Sequence, residues 1–257
     1  MNKPELYFEM HGNQGPYLLM VHGIMSSRAQ WIHNLASLST FCRPVVVELF
    51  GHGRSPSPDN PETYTPDNFV KEFEKIRKHL GAGKWFLCGQ SLGASLTLRY
   101  ALSHPESIKA QIFTNSRSAL SDNPPEETMK MVAQRLLEEG RGLLEHFPLN
   151  PVKSRHLPKE IKEALVRDID HIDIKGFGQM LIHMVTKCSV SRMVQKNIVP
   201  TLLIVGRFDK QFEPLVAFAR GNIPHMEMKV FDGGHAVNID AAELFNRAVK
   251  EFMGRFQ

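Results

Sequence analysis

Cysteine is scarce: Cys42, Cys88 and Cys188 are the only three in 257 residues. Their odd number, wide spacing and lack of any C-x-x-C or zinc-ligand pattern exclude a disulfide framework and a cysteine-built metal centre, and imply free thiols in a reducing compartment. Long apolar runs are missing as well. No stretch approaches the roughly 20 residues that span a bilayer. Met1-Asn2-Lys3-Pro4-Glu5 leads straight into an alternating segment without a signal-peptide core, so a cytoplasmic chain with no membrane span is expected. Nor is there a basic block: 31 Lys and Arg are interleaved with 27 Asp and Glu for a formal net charge of +4, which argues against nucleic acid as a partner. Internal repeats and low-complexity segments are also lacking.

What is present suits one large α/β domain, or such a domain with an insertion, at 42% hydrophobic and 23% charged. Leu6, Phe8 and Met10 alternate with Tyr7 and Glu9 before the turn residues of His11 to Gly15. Apolar runs follow at 17–21, 45–49, 85–88, 111–114, 201–205 and 226–231, separated by helical patterns that include 66–80, 92–103 and 241–252. Strands alternating with helices predict βαβ units and a mainly parallel sheet. The rhythm breaks over 116–196, where helical patterns at 126–140, 158–170 and 175–187 have no strand between them. The expected organisation is therefore core (1–115), helical insertion (116–196) and core again (197–257).

Gly89-Gln90-Ser91-Leu92-Gly93 lies between the apolar run Trp85–Cys88 and the helical run 92–103. A G-x-S-x-G pentapeptide that closes a strand and opens a helix reads as a nucleophile elbow presenting Ser91 Oγ; the plainer reading is a serine that caps a helix. A serine hydroxyl is nearly inert unless a histidine takes its proton and a carboxylate orients that histidine. Asp209 follows the run 201–205 through Gly206-Arg207-Phe208, with Glu213 as the rival acid. His235 ends the loop Asp232-Gly233-Gly234-His235, whose glycines permit tight turning, while Asp232 reads as a turn residue.

The order Ser, Asp, His, each after a strand, resembles the α/β-hydrolases, in particular the small esterase, lactonase and thioesterase type, over nearly the whole chain. His22-Gly23-Ile24 stands where that family keeps its oxyanion loop, Trp31 where it often has tryptophan, and Gly51-His52-Gly53-Arg54-Ser55 resembles its G-x-G-x-S turn. The resemblance implies an α/β-hydrolase fold, a mainly parallel twisted sheet with flanking helices and the insertion as a helical cap. It also implies Ser91, Asp209 and His235 as catalytic residues, and the amides of Leu92 and Ile24, or alternatively Met25, as the oxyanion hole. Gly23 and Met25 then border the substrate, and His22, His52 and Arg54 are structural. In the insertion, His183, Met184, Lys187 and Cys188 share a helical turn that faces either the pocket or the core and solvent. Arg117 either meets an anionic substrate or lies on the surface.

The expected function is a serine hydrolase that cleaves a carboxylic ester, thioester or lactone of a small-molecule acyl substrate through an acyl-enzyme, without metal or organic cofactor. An aspartate at position 91 would instead imply a dehalogenase or epoxide hydrolase. The alternatives are a lyase or C–C bond hydrolase on the same scaffold, similar to the menaquinone-pathway synthase or the meta-cleavage-product hydrolases, and a non-catalytic ligand-binding protein. Oligomeric state is left open by the sequence.

Overall fold

The computed structural model describes residues 3, 5–147, 150, 153 and 157–256; the parts of the expected insertion at 148–149, 151–152 and 154–156 lie outside the described residues. Seven strands form one sheet: β1 (Phe8–Met10), β2 (Tyr17–Val21), β3 (Arg43–Val47), β4 (Trp85–Gly89), β5 (Ile108–Thr114), β6 (Thr201–Gly206) and β7 (Met226–Phe231). Their order is β1-β3-β2-β4-β5-β6-β7, and β1 alone runs antiparallel. Strand order reverses between β2 and β4, so the loops leaving these two neighbours part to opposite faces and open a crevice at the carboxyl edge.

β3 begins at Arg43, two residues before the expected 45–49, and ends at Val47. Pro44 leaves the β2 side of the ladder intact, where Arg43 N donates to Pro16 O. Its own nitrogen faces β1: its carbonyl accepts from His11 N at 2.8 Å but it has no N–H to return, so the β1–β3 ladder ends at Met10 with Val45. β5 likewise starts at Ile108 rather than 111, because Lys109 interrupts its apolar run.

Helices cover both faces of the sheet, which is why its inner strands are mostly buried and apolar, while edge strand β7 alternates and has no buried residue. In chain order they are α1 (Ile32–Leu38), α2 (Pro66–His79), α3 (Leu92–Ser103), α4 (Arg117–Leu120), α5 (Glu126–Glu139), α6 (Arg141–His146), α7 (Lys159–Ile169), α8 (Ile174–Met180), α9 (Glu213–Asn222), α10 (Val237–Asp240) and α11 (Ala242–Gly254). Phe69, Phe73 and Ile76 of α2 and Leu96 and Tyr100 of α3 pack on Leu19, Val45 and Leu87. On the other face Phe245, Val249 and Phe252 of α11 cover Met20, Phe86 and Ile112. Pro66 opens α2 with Asp67 in its first turn, and Arg77, Lys78 and His79 close it, a charge order that complements the helix dipole.

Between β5 and β6 the described residues form α4 to α8 and no strand. Leu136, Leu144, Ile169, Phe177 and Leu181 gather there around Met25 from the loop after β2. The helix expected over 175–187 is α8 followed by a wider π-helical turn, Leu181–Val185. No described helix is long and apolar enough to cross a membrane.

Candidate active site

Ser91 sits at the junction of β4 and α3 with φ +51° and ψ −116°, a positive φ that a non-glycine residue adopts only when its surroundings enforce it. The enforcement is visible. A Cβ on Gly93 would collide with the Val21 carbonyl, and one on Gly89 would lie 2.6 Å from Ala94 Cα, so Gly93 lets the elbow press against the end of β2 and Gly89 lets the first turn of α3 fold back onto β4. Gln90 N donates to Val21 O at 3.0 Å, and the Ser91 carbonyl accepts from Ala94 N at 3.0 Å and from Ser116 Oγ at 2.6 Å.

Gly206 performs the same service between β6 and β7. A Cβ there would collide with the Gly234 carbonyl, and its absence lets Phe208 N donate to Gly233 O at 2.9 Å. The two loops thereby bring Asp209 Oδ2 within 2.7 Å of His235 Nδ1. An ionised carboxylate only accepts, so Nδ1 carries the proton and Nε2 is left as the basic nitrogen. The Asp209 side chain is 7% exposed and that of His235 44%: the acid is sealed in while the imidazole edge stays open. Burial works to raise the Asp209 pKa, but the hydrogen bond and charge of His235, together with Asn115 and the Phe212 amide, outweigh it and hold the carboxyl below its usual range.

The loop after β2 completes the arrangement. Gly23 lies so close that a Cβ would touch Gln90 Oε1 and stand 3.1 Å from Ser91 Cβ. The backbone turns at Met25, φ +53°, and the amides of Ile24 and Leu92 donate to no group among the described residues. Ser27 pins the loop to the insertion by donating to Asp168 of α7. His22 is structural in its hydrogen bonding: Leu49 N donates to Nε2 at 3.1 Å, so Nδ1 donates to Gly23 O at 2.7 Å. Burial, aided by neighbouring His52, pushes its pKa down to about 3, and burial pushes that of His52 down to about 4. Both rings are neutral at physiological pH.

Ser91 and His235 open into one cavity of about 330 Å³, bordered by Gly23, Ile24 and Met25 on the β2 side and by Leu157, Leu165 and Ile239 on the apolar side. Other residues singled out in the sequence lie elsewhere. Arg117 is exposed and donates to Gln211 Oε1 at 2.9 Å. Met184 is fully buried in the core between the sheet and α2, His183 is half-buried in the π-helical turn, and neither borders the cavity. Helical spacing brought these two together without fixing the face they present. Glu213 opens α9 on the surface. Conversely, sequence reasoning passed over Asn115, whose Nδ2 donates to Asp209 Oδ2 at 2.9 Å and whose Oδ1 accepts from Gly206 N at 3.1 Å. The available signal was a polar pair, Asn115-Ser116, directly after the apolar β5. Among the described residues no three His, Cys, Asp or Glu side chains gather as metal ligands would.

A family model described as the alpha/beta hydrolase fold matches residues 16–242. A proline iminopeptidase of Saccharolobus solfataricus is 23% identical, with 96% of this chain and 88% of that protein covered. A putative 2-succinyl-6-hydroxy-2,4-cyclohexadiene-1-carboxylate synthase of Bacillus subtilis is 24% identical, with 94% and 91% covered. Among solved structures, a thermophilic esterase from Thermogutta terrifontis aligns with a TM-score of 0.82 at 25% identity, over 98% of this chain and 93% of that one.

Proposed function

Because the chain belongs to the α/β-hydrolase fold family, we propose that it is a serine hydrolase of small carboxylic esters, thioesters or lactones, with Ser91 as nucleophile, His235 as base and Asp209 as the acid that orients it. The observation that carries this reading is the 2.7 Å Asp209–His235 hydrogen bond beside a Ser91 held at positive φ, with Ser91 and His235 on one cavity. His235 Nε2 takes the hydroxyl proton as Oγ attacks the acyl carbon. Asp209 keeps the imidazole in the required tautomer and stabilises the imidazolium that forms. The developing oxyanion is met by the Ile24 and Leu92 amides, which have no competing acceptor among the described residues. His235 returns the proton to the leaving group, then activates water to release the acid from Ser91.

Residues 116–196 act in this scheme as a cap, since Leu157 and Leu165 close the cavity from that segment. A cavity of about 330 Å³ is at the small end of the ligand-site range of roughly 300–1,000 Å³, so short acyl chains are favoured, their apolar part against Leu157, Leu165 and Ile239. An amide with a free terminal amine, as the name of the Saccharolobus relative indicates for that protein, calls for a carboxylate to hold the ammonium. The sole acidic residue bordering the described cavity is Asp240, and its Oδ2 already accepts from Gly234 N at 2.7 Å. The Bacillus relative motivates a second reading, a lyase acting through the same residues. A panel of short and long p-nitrophenyl esters, acyl thioesters, lactones and aminoacyl amides, run with Ser91→Ala as control, separates the readings: an acid plus an alcohol or thiol supports ester-type hydrolysis, and C–C cleavage or elimination products support the lyase.

A further inference from the structure

Side-chain amides join the loop that carries the Ile24 amide to the loop that carries His235. Gln30, in the tight turn Arg28–Trp31, donates from Nε2 to Asn238 Oδ1 at 3.1 Å, and Asn238 Nδ2 donates back to the Gln30 carbonyl at 2.9 Å. Asn238 belongs to α10, just past His235. Behind this bridge stands Asn34 of α1, donating from Nδ2 to the Asn238 carbonyl at 2.9 Å and accepting from Asn238 Nδ2 at 3.2 Å. Asn34 Nδ2 also donates to Asn246 Oδ1 of α11 at 2.9 Å. At the near end Ser26 Oγ donates to Gln30 Oε1 at 2.9 Å. The four amides are between 0 and 6% exposed.

Both amide protons of Asn34 and of Asn238 are engaged, so neither group can flip without orphaning buried donors. A set of buried amides is a costly way to fill space that apolar side chains would fill better, whereas a fully satisfied one imposes a single relative placement on the elements it joins. It does so here without setting a charge beside the imidazole. A separate contact, Gln90 Nε2 to the His235 carbonyl at 3.3 Å, links the base loop to the elbow; Gln90 Oε1 lies against Gly23 but makes no hydrogen bond to the oxyanion loop among the described residues. Resting on the reading of Ser91, His235 and Ile24 given above, we propose that Gln30 and Asn238 are positioning residues, a reciprocal amide bridge that fixes the distance between the oxyanion donor at Ile24 and the base at His235.

The test compares Gln30→Met, Asn238→Ala, their double variant and Asn246→Ala in the full chain, reading kcat and KM on p-nitrophenyl acetate, the rate of fluorophosphonate labelling of Ser91, and Tm. Displacement of a catalytic group by about 1 Å costs on the order of 10²-fold, so Gln30→Met should lower kcat and the labelling rate about 10- to 100-fold with KM within about threefold. The double variant should be no worse than the worse single one, because the two residues act as a unit. Asn246→Ala, which loosens the far end, should lower Tm with kcat within about threefold. Should Gln30→Met fail to fold, Gln30→Asn, which keeps the amide and shortens its reach, carries the same expectation. Unchanged kcat and labelling in a folded Gln30 variant, or an equal kcat loss in Asn246→Ala at matched Tm, overturns the inference and makes the network core packing. If the wild type is not labelled and Ser91→Ala keeps its turnover, the reading of Ser91 itself fails and the bridge loses its purpose with it.

Discussion

Asn115 donates to the same oxygen of Asp209, Oδ2, that accepts the His235 proton, at 2.9 Å against 2.7 Å. Its own carbonyl oxygen is held by the Gly206 amide, so the asparagine ties β5 to the turn that delivers Asp209. Two donors on one carboxylate oxygen favour the ionised acid and fix its direction.

Removing the second donor should therefore weaken catalysis without abolishing it. Asn115→Ala is expected to lower kcat about 10- to 150-fold, the effect of one lost hydrogen bond to a charged group. The check is kcat on an activated ester beside Tm, and a kcat within twofold of wild type would remove Asn115 from the site.

The choice of acid can be decided by a pair of isosteric changes. Asp209→Asn should cost roughly 10²- to 10⁴-fold in kcat by disturbing the His235 tautomer. Glu213→Gln, on the exposed start of α9, should stay within about twofold. The reverse ranking would reassign the carboxylate.

Buried His22 and His52 make stability sensitive to acid. In the unfolded chain these rings bind protons near 6.5, whereas in the folded protein burial defers this to about 3 and about 4. As pH falls from 6.5 toward 4 the unfolded state holds more protons, so stability declines by up to about 1.4 kcal/mol per pH unit for each ring. Above 6.5 the contribution is complete. Urea midpoints measured between pH 5 and pH 7.5 should fall toward acid, and His52→Phe should flatten that slope by up to one proton; an identical slope in the variant would assign it to other groups.

Cavity wall and core should respond differently. Leu165→Ala enlarges the space beside Ser91 and should raise kcat/KM for hexanoyl over acetyl esters by at least about threefold. Met184→Ala should instead destabilise by about 2–5 kcal/mol and leave that ratio unchanged. A shift in the ratio from Met184→Ala alone would place the acyl pocket on the other side of the insertion.

How much of this was legible in the chain depended on range. β2, β7 and α3 have the bounds that their apolar runs indicated, and the glycines at 89, 93, 206 and 234 mark the strand-end turns on which Ser91, Asp209 and His235 stand, since a sharp turn at a strand end is a local property. The start of β3 was hidden by Pro44, whose cost depends on which neighbour its nitrogen faces, and that is a property of the sheet. His183 and Met184 could be grouped but not aimed, because helical periodicity names a face without naming what it meets; Arg117, open between an anionic substrate and the surface, lies on the surface. Asn115 and the Gln30–Asn238 bridge join residues far apart in sequence. Asparagine and glutamine occur throughout such a chain, so nothing local marks the few whose partners await them across the fold.

Ser91 is the group on which the proposed chemistry turns, and the decisive measurement is turnover of a short activated ester by Ser91→Ala, paired with intact-mass detection of a fluorophosphonate adduct on the wild type. Alanine removes Oγ and with it the acyl-enzyme route, leaving only binding and oxyanion stabilisation. The expected result is one adduct on Ser91 in the wild type, none in Ser91→Ala, and turnover lowered at least about 10³-fold in a variant that keeps its Tm within a few degrees. Turnover within tenfold of wild type, or an adduct that persists in the variant, would contradict it.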